Sequence, residues 1–336
     1  MALLIAGSCS SIVENVEPPP ADEVLRPYTV STLAGSGIYG FADGDGKDAA
    51  FSDAYGLTTD AAGNVYVADG NNNRIRKITP HGIVTTVAGD SIFGSNDGSV
   101  SEALFSYPHG LVVDGNGNVF VADSGNSLIR KISRDGVVST IAGNGVIGFK
   151  NGVGKAAQFN FPADLVLDPQ GNLYVSDGAN HCIRKVTQDG TVSTFATGFG
   201  FPEGIEIDKV GNLYVADTGG FVIRKVTPEG AVSVLAGSTS EIGYIDGKGG
   251  EVRFHNPEGI AIDKDGNLYI GDLNSAIRKV TPEGIVSTIA GNGTVGFADG
   301  AADEAKFNQP SGIAMDAAGN IFVADVRNSR IRKIHR

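Results

Sequence analysis

Apolar and polar positions alternate in short runs along this chain, and the runs recur as one repeated unit. Each unit contains Gly-Asn, an aliphatic, an aromatic and an aliphatic residue, a small residue and Asp, and Ile-Arg-Lys follows within about a dozen residues. The six copies end at Asp69, Asp123, Asp177, Asp217, Asp272 and Asp325. In the second copy the alternation and the Gly-rich turns predict strands at 111–114, 118–122, 128–133 and 137–142. The unit is therefore predicted to be a four-stranded antiparallel sheet.

A repeat of roughly 40 to 55 residues that carries several short strands is the sequence pattern of a β-propeller. Six copies predict an all-β, six-bladed propeller that forms one domain over residues 28–336. The last copy stops after its third strand, at 331–334, while 28–34 matches a fourth strand. We expect the segment at 28–34 to complete the last blade as its outermost strand, because this removes two unpaired sheet edges.

Three short motifs in these units belong to a known repeat. They are the Pro-x-Gly entry into the first strand, the Gly-Asn strand that ends in Asp, and the Ile-Arg-Lys strand; the entry is found at Pro108, Pro202, Pro257 and Pro310. Together they resemble the NHL repeat over nearly everything from Val30 to Arg336. The resemblance implies a propeller used mostly for binding, with a few enzymatic members.

Five of the six blade junctions carry an insert after the fourth strand. The inserts end at Phe51, Phe105, Phe159, Phe254 and Phe307, and the junction into the fourth blade lacks one. Acids outnumber bases 12 to 6 in these inserts. We expect the inserts to build a raised acidic wall on one rim, with a notch at 194–199 through which a polar or cationic ligand enters.

The charge of the chain narrows the class of partner. The formal net charge is −12, whereas the repeated framework contributes equal numbers of Asp and of Arg and Lys. The surplus acid therefore lies in the variable loops and in the N-terminal segment. An acidic surface argues against a nucleic-acid partner, because phosphate binding needs a surplus of Lys and Arg.

Candidate binding residues occupy the middle of the Pro-x-Gly entries, which should face one mouth of the central channel. These positions hold Tyr55, His109, Ala163, Glu203, Glu258 and Ser311, and the third blade also has Asp164 where the others have Gly. His181 lies in a turn on the same rim and is a further candidate. Carboxylates with one imidazole can ligate a divalent cation, so His109, Asp164, Glu203 and Glu258 form a candidate metal set, for Ca²⁺ where oxygens dominate. The other interpretation is that these are solvated turn residues.

The recurring Asp and Arg of the repeat cannot define one active site, since every blade has them. We interpret them as structural, with the Asp capping its turn and the Arg paired with a carboxylate.

The first 27 residues are distinct from the repeats. MALLIAGSCSS resembles the end of a bacterial lipoprotein signal, which implies that Cys9 is acylated. The acidic, Pro-containing stretch that follows is typical of a tether. We therefore expect a protein of the cell envelope or the extracellular space, attached to a membrane only through a lipid anchor. Cys182, the other cysteine, is expected to be an ordinary buried thiol.

These observations favour a monomeric, non-enzymatic binding or scaffold module that recognises a protein, peptide or glycan on the insert-bearing rim. No Ser-His-Asp or Cys-His arrangement for nucleophilic catalysis is evident. The alternative is a metal-dependent hydrolase similar to the gluconolactonase-type six-bladed propellers. A peptidylglycine-type lyase is a third hypothesis, but that family uses several channel histidines for zinc and only His109 is expected at the mouth.

Overall fold

Six antiparallel sheets follow one another along the chain and close into a ring in the computed structural model, which describes residues 28–336. The predicted six-bladed propeller is thereby confirmed. Among the described residues, no helix combines the length and the apolar character that a membrane crossing requires.

The strands, in chain order, are β1 (Thr29–Ala34), β2 (Ala54–Thr59), β3 (Val65–Asp69), β4 (Arg74–Ile78), β5 (Val84–Gly89), β6 (Gly98–Ser99), β7 (Pro108–Val113), β8 (Val119–Asp123), β9 (Leu128–Ile132), β10 (Val137–Ala142), β11 (Gly152–Val153), β12 (Pro162–Leu167), β13 (Leu173–Asp177), β14 (Cys182–Val186), β15 (Thr191–Thr197), β16 (Pro202–Ile207), β17 (Leu213–Asp217), β18 (Val222–Val226), β19 (Val232–Gly237), β20 (Gly247–Lys248), β21 (Pro257–Ile262), β22 (Leu268–Asp272), β23 (Ala276–Val280), β24 (Ile285–Ala290), β25 (Gly300–Ala301), β26 (Pro310–Met315), β27 (Ile321–Asp325) and β28 (Arg330–His335). Short 3-10 helices lie at Gly70–Asn72, Ser124–Asn126, Gly154–Ala156, Gly178–Asn180, Thr218–Gly220, Gly249–Glu251 and Val326–Asn328.

Each blade takes four of these strands, and the first lines the central channel. Blades 1 to 5 are β2–β5, β7–β10, β12–β15, β16–β19 and β21–β24, and blade 6 is β26, β27, β28 and β1. Buried apolar side chains fill the space between adjacent blades. One such cluster joins Phe322 and Ala324 of blade 6 to Val65 and Val67 of blade 1. Each blade is thus stabilised by its two neighbours.

Ring closure follows the sequence prediction with one correction. β1 pairs antiparallel with β28, with Val30 opposite Ile334, so the first strand completes the last blade. It is not the outermost strand, however, because β25 pairs along its other side, with Val30 opposite Gly300. The outer edge of blade 6 is therefore covered by the insert that precedes that blade.

The expected acidic wall is wrong, because the inserts bind to the outer edges of the blades. β6, β11, β20 and β25 come from four inserts, and each pairs with the fourth strand of the blade that follows it. The fifth insert does the same through one bridge, Gly44 to Val84. Gly35 N–H at the end of β1 also donates to Gly46 O at 2.8 Å, so that insert contacts the preceding blade as well. The fourth strand of each blade has main-chain N–H and C=O groups along its outer side. Hydrogen bonds to these groups hold the inserts against the blades.

A buried ion pair explains why the inserts stay there. Arg332 is fully buried, and its Nη1 donates to Asp325 at 2.7 Å. Its Nη2 donates to Asp299 Oδ1 at 2.6 Å and to Ala298 O at 2.7 Å, both in the insert. Blades 1, 2, 3 and 5 repeat the arrangement, with Asn151 in place of the insert Asp in blade 3. The Arg therefore fixes its insert to its own blade.

The recurring Asp acts differently from the expected turn cap. Asp69 makes no side-chain cap to the 3-10 turn that follows it. Its Oδ1 accepts the Ser52 N–H at 2.8 Å, and its Oδ2 accepts from Asn72 and Arg76. The carboxylate thus joins the insert end, the turn and the third strand, which supports the structural interpretation of these residues.

Candidate functional site

The mouth of the channel lies on the rim that carries the start of each insert. Asn72, in the turn between β3 and β4, donates to Gly40 O of the insert at 2.8 Å, which places the two on the same rim. The first strands approach one another so closely that a Cβ on Gly312 would lie 1.9 Å from Tyr55 O. Five blades have Gly at this level, where an added Cβ would lie 1.9 to 2.4 Å from a neighbouring atom, and blade 3 has Asp164.

Six of the seven predicted binding residues surround one cavity of about 20 Å³ at this mouth: Tyr55, His109, Asp164, Glu203, Glu258 and Ser311. A second cavity of about 90 Å³ continues along the channel and is lined by Asp164 and Glu206 among others. Asp164 borders both cavities. The channel is thus divided at the level of the glycines into an outer mouth and an inner chamber.

One side of the mouth is acidic. Glu258 is buried, and its Oε2 has no hydrogen-bond partner among residues 28–336. Burial raises the pKa of Glu258 to about 7, against the lowering effect of a hydrogen bond with Ser311. The pKa of Glu203 is also raised, by burial and by the nearby charges of Glu258 and Asp164. Burial and like charge thus both disfavour ionisation of Glu203.

Asp164 and Glu206 extend the acidic side into the channel. Burial raises the pKa of Asp164 to about 7, although the Ile205 N–H donates to its Oδ2 at 3.3 Å. Burial likewise raises the pKa of Glu206 to about 8. Both pKa values are far above the ordinary carboxyl range, so the channel holds protons near neutral pH.

The other side of the mouth is aromatic. The rings of Tyr55 and His109 stack with centroids 4.5 Å apart, and Tyr107 lies 5.6 Å from Tyr55. Phe161 meets His109 edge-on at 5.4 Å, and Phe201 lies 5.8 Å from Phe161. The mouth therefore presents π surfaces opposite carboxylates.

His109 belongs to this aromatic side. Its Nδ1 lies 3.1 Å from Ala163 O, and burial lowers its pKa to about 4. The imidazole is consequently neutral at physiological pH and donates from Nδ1 to the carbonyl.

Two of the predicted roles do not match the geometry. His181 is exposed and hydrogen-bonds to Gly200 O, so it does not join the residues that line the mouth. Within the described chain, no three His, Cys, Asp or Glu side chains are placed to hold a metal ion. The metal set of His109, Asp164, Glu203 and Glu258 is therefore not assembled, although all four residues line the mouth.

Sequence reasoning missed four residues that shape the site: Tyr107, Phe161, Phe201 and Glu206. The first three directly precede the Pro of the entry motif in blades 2, 3 and 4. The recurrence of an aromatic residue at this position in three consecutive blades could have identified them from the sequence. Tyr107 and Phe161 have φ values of 48° and 54°, a left-handed conformation that is uncommon for aromatic residues. Glu206 could have been found as the one charged residue that follows the Gly-aliphatic pair of a first strand.

Exposed apolar side chains surround the mouth at a greater radius, on the first half of each insert. We call them the apolar tips: Ile38, Tyr39, Phe41, Ile92, Phe93, Val146, Ile147, Phe149, Ile242, Tyr244, Ile245, Val295 and Phe297. Phe93 is 75% exposed and Ile38 is 69% exposed. The rim is thus apolar where the sequence had predicted an acidic wall.

The repeats match a known family model. The model of the NHL repeat matches residues 105–132, 159–186 and 307–334, and that of the teneurin NHL domain matches residues 243–298. The chain is an NHL-repeat β-propeller.

The curated relatives that this chain matches are longer than the chain. Protein SUPPRESSOR OF QUENCHING 1, chloroplastic, of Arabidopsis thaliana is 32% identical over 90% of this chain and 27% of its own. Human NHL repeat-containing protein 2 is 30% identical over 79% of this chain and 44% of its own. The chain therefore spans between about a quarter and a half of the length of these two relatives.

Solved structures share the fold. An auxiliary nutrient binding protein from Bacteroides ovatus has a TM-score of 0.72 at 20% identity, covering 92% of this chain and 76% of that one. A virginiamycin B lyase from Staphylococcus aureus has a TM-score of 0.60 at 16% identity, covering 92% and 99%. At these identities the likeness establishes architecture alone, and both binding proteins and enzymes use it.

Proposed function

We propose that the protein is a non-enzymatic binding module that holds a primary ammonium group at the mouth of the channel, and that the group is a lysine side chain of a partner protein or peptide. The observation that carries the proposal is Glu258 Oε2, a buried carboxylate oxygen without a partner, beside Glu203. Buried carboxylates ordinarily have a cation or hydrogen-bond donors near them. An ammonium in the mouth would supply both.

The size of the mouth selects the cation. A volume of about 20 Å³ accommodates roughly one water molecule, and an ammonium head group is of similar size. A planar guanidinium is larger. Lysine also has a flexible aliphatic stem, which would pack against the ring faces of Tyr55 and His109 while the head group reaches the carboxylates.

The surroundings of the mouth favour a protein or peptide over a free small molecule. The apolar tips form an exposed hydrophobic surface on the same rim, and contiguous surfaces of this kind mark interaction sites. An amino sugar of a glycan also carries a primary ammonium, so the test includes one.

Binding of blocked tripeptides by calorimetry tests the proposal. The probes are acetyl-Gly-Lys-Gly-amide, the same peptide with N-acetylated lysine, the arginine analogue, and glucosamine. We expect the lysine peptide to bind, and both lysine acetylation and Glu258→Gln to weaken it at least about tenfold, because each removes a charge-assisted hydrogen bond. Glu283→Gln, an exposed acid in a turn between third and fourth strands, is the matched control.

Equal binding of the lysine and acetyl-lysine peptides would refute the ammonium site. Tighter binding of glucosamine than of the lysine peptide would indicate that the ligand is a glycan. The alternative function, a metal-dependent hydrolase, needs a cation at the same mouth. Titration with Ca²⁺ and Zn²⁺ tests it, since binding that depends on Glu203 and Glu258 would favour that reaction class.

We also propose that the protein acts in the cell envelope. The residues that suggest this, including Cys9, lie outside the described residues.

A further inference from the structure

Within residues 28–336, blade 4 alone has no insert strand on its outer edge. Its sheet contains β16 to β19 only, whereas the other five blades pair their fourth strand with an insert. We call the resulting surface the blade-4 socket; it comprises the outer edge of β19 (Val232–Gly237), Gly230 and Arg224. The neighbouring blades show what normally occupies such a surface.

The main chain of the socket has the same hydrogen-bonding groups that pair with the inserts in the other blades. In blades 2, 3 and 5 the carbonyls of Gly136, Gly190 and Gly284 each accept an insert N–H at 2.9 to 3.0 Å. Gly230 holds this position in blade 4, and no main-chain donor reaches its carbonyl from the part of the chain described here. An edge of this kind is a template for pairing with another strand.

The Val side chains of the socket are more exposed than the equivalent Val side chains of the other blades, which lie beneath an insert. Val84, Val138, Val192, Val286 and Val30 are at most 2% exposed beneath their inserts. Val232 holds the same place and is only partly buried, and Val234 beside it is 45% exposed. No charged residue or Pro interrupts β19, although such residues commonly protect exposed edges from pairing.

Arg224 lacks the ligands that an insert provides. Its Nε donates to Asp217 at 2.6 Å, but its two terminal nitrogens have no hydrogen-bond partner within residues 28–336. The equivalent Nη2 atoms in blades 1, 5 and 6 each donate to an insert Asp at 2.6 Å. The guanidinium of Arg224 is therefore available to a carboxylate.

The missing insert does not move the turn of blade 4 away from blade 3. A Cβ on Gly230 would lie 3.0 Å from Phe195 O of blade 3, and the equivalent distances at three occupied junctions, measured from Gly82, Gly190 and Gly284, are 2.5 to 3.2 Å. At this contact blades 3 and 4 therefore approach each other as blades do around an insert.

We infer that the blade-4 socket binds an extended segment of another protein with the pattern aromatic-x-Asp-Gly. Three inserts of this chain have that pattern where they contact their Arg: 41–44, 244–247 and 297–300. The Gly pairs with the edge strand, the Asp binds the guanidinium and an outward main-chain N–H, and the aromatic ring covers the Arg, as Phe297 does for Arg332 at 4.9 Å. The partner segment would make the same contacts with Val232, Val234 and Arg224. This site is separate from the ammonium site at the mouth.

The probe is a labelled, end-blocked peptide with the sequence of residues 294–306, titrated into the full chain by fluorescence anisotropy. We expect saturable binding, weakened about tenfold or more when the Asp that corresponds to Asp299 is Ala, because a charge-assisted hydrogen bond to Arg224 is lost. Val234→Lys should weaken it similarly by placing a charge on the edge. Glu258→Gln should leave it unchanged, which separates this site from the mouth.

A chain with residues 292–306 grafted between Thr197 and Phe199 gives a second readout. The graft should fill the socket, raise the melting temperature and abolish peptide binding, while the lysine peptide still binds at the mouth. Undiminished binding of the 294–306 peptide to the grafted chain, or equal binding of the Asp→Ala peptide, would overturn the inference. Sedimentation that shows a dimer dissociated by Val234→Lys would overturn it too, because the occupant would then be a second copy.

Discussion

Asp325 Oδ2 lies 2.7 Å from Nη1 of Arg332, and neither side chain is exposed. The same pair recurs in every blade, but only blade 4 leaves its Arg, Arg224, partly exposed, at 15%. The difference follows from the insert, which supplies carbonyls to the guanidinium in the other five blades, together with a second carboxylate in four of them and the Asn151 amide oxygen in blade 3. The repeated pair thus determines where the variable segments lie.

Replacing Arg332 by Met should be strongly destabilising. It leaves Asp325 buried without its cation and removes the insert from blade 6, and the loss of one partner of a buried pair costs about 3 to 5 kcal/mol. Chemical denaturation would measure the free energy of unfolding. Arg224→Met is the matched control and should cost less, since Arg224 has no insert ligand; an equal cost in the two variants would contradict this account.

Removing the first strand should open the ring. A chain that lacks residues 1–35 exposes the edges of β28 and β25 and should lose much of its thermal stability, because the blades support each other through their neighbours. A chain that lacks only residues 1–27 retains β1 and should melt as the full chain does. A melting temperature unaffected by loss of β1 would show that closure does not stabilise the propeller.

The channel carboxyls predict that stability falls as pH rises. Asp164 and Glu258 have pKa values of about 7 and Glu206 about 8, all raised above their unfolded values by burial. From about pH 4 up to about pH 7 for Asp164 and Glu258, and up to about pH 8 for Glu206, the folded state therefore binds more protons than the unfolded state, so the free energy of unfolding falls as the pH rises. Glu206→Gln should reduce this slope in urea denaturation at pH 5, 6, 7 and 8. Glu229→Gln, on an exposed turn, should not.

Binding at the mouth should have the opposite pH dependence. The carboxyls must ionise to hold an ammonium, so affinity for the lysine peptide should rise from pH 6 to pH 8, and high salt should slow association. Calorimetry across this range would show it. Constant affinity between pH 6 and pH 8 would mean that Glu258 and Asp164 are already ionised or take no part.

Cys9→Ser tests the lipoprotein prediction. The wild-type protein should fractionate with membranes and incorporate labelled palmitate, and the variant should do neither. Cys182→Ser is the control, because this thiol is buried in β14. Equal fractionation of the wild-type protein and Cys9→Ser would show that Cys9 does not carry a lipid anchor.

The sequence by itself determined the number of blades, the strands within each blade and the way the ring closes. These features depend on contacts between residues close in the chain, and the contacts recur in each repeat. Asp60 accepts the Ala62 and Asn64 N–H groups across a tight turn, and the same turn separates the first two strands of every blade. It also identified six residues that line the mouth, since equivalent positions of a closed repeat converge on the axis.

Only the tertiary structure decided how the inserts lie and what the mouth can hold. The composition of the inserts suggested an acidic wall, but Asp43 and Asp299, which stay partly exposed, each pair with a buried guanidinium, which no local pattern reveals. The metal set failed for a related reason: equivalent positions share a level of the channel, yet the direction of each side chain depends on its neighbours in the adjacent blades. His109 turns to Ala163 O and stacks on Tyr55, while Glu258 stays on the acidic side with one oxygen unpaired. The two contacts of His109 join residues 54 positions apart, and the packing of adjacent blades brings them together.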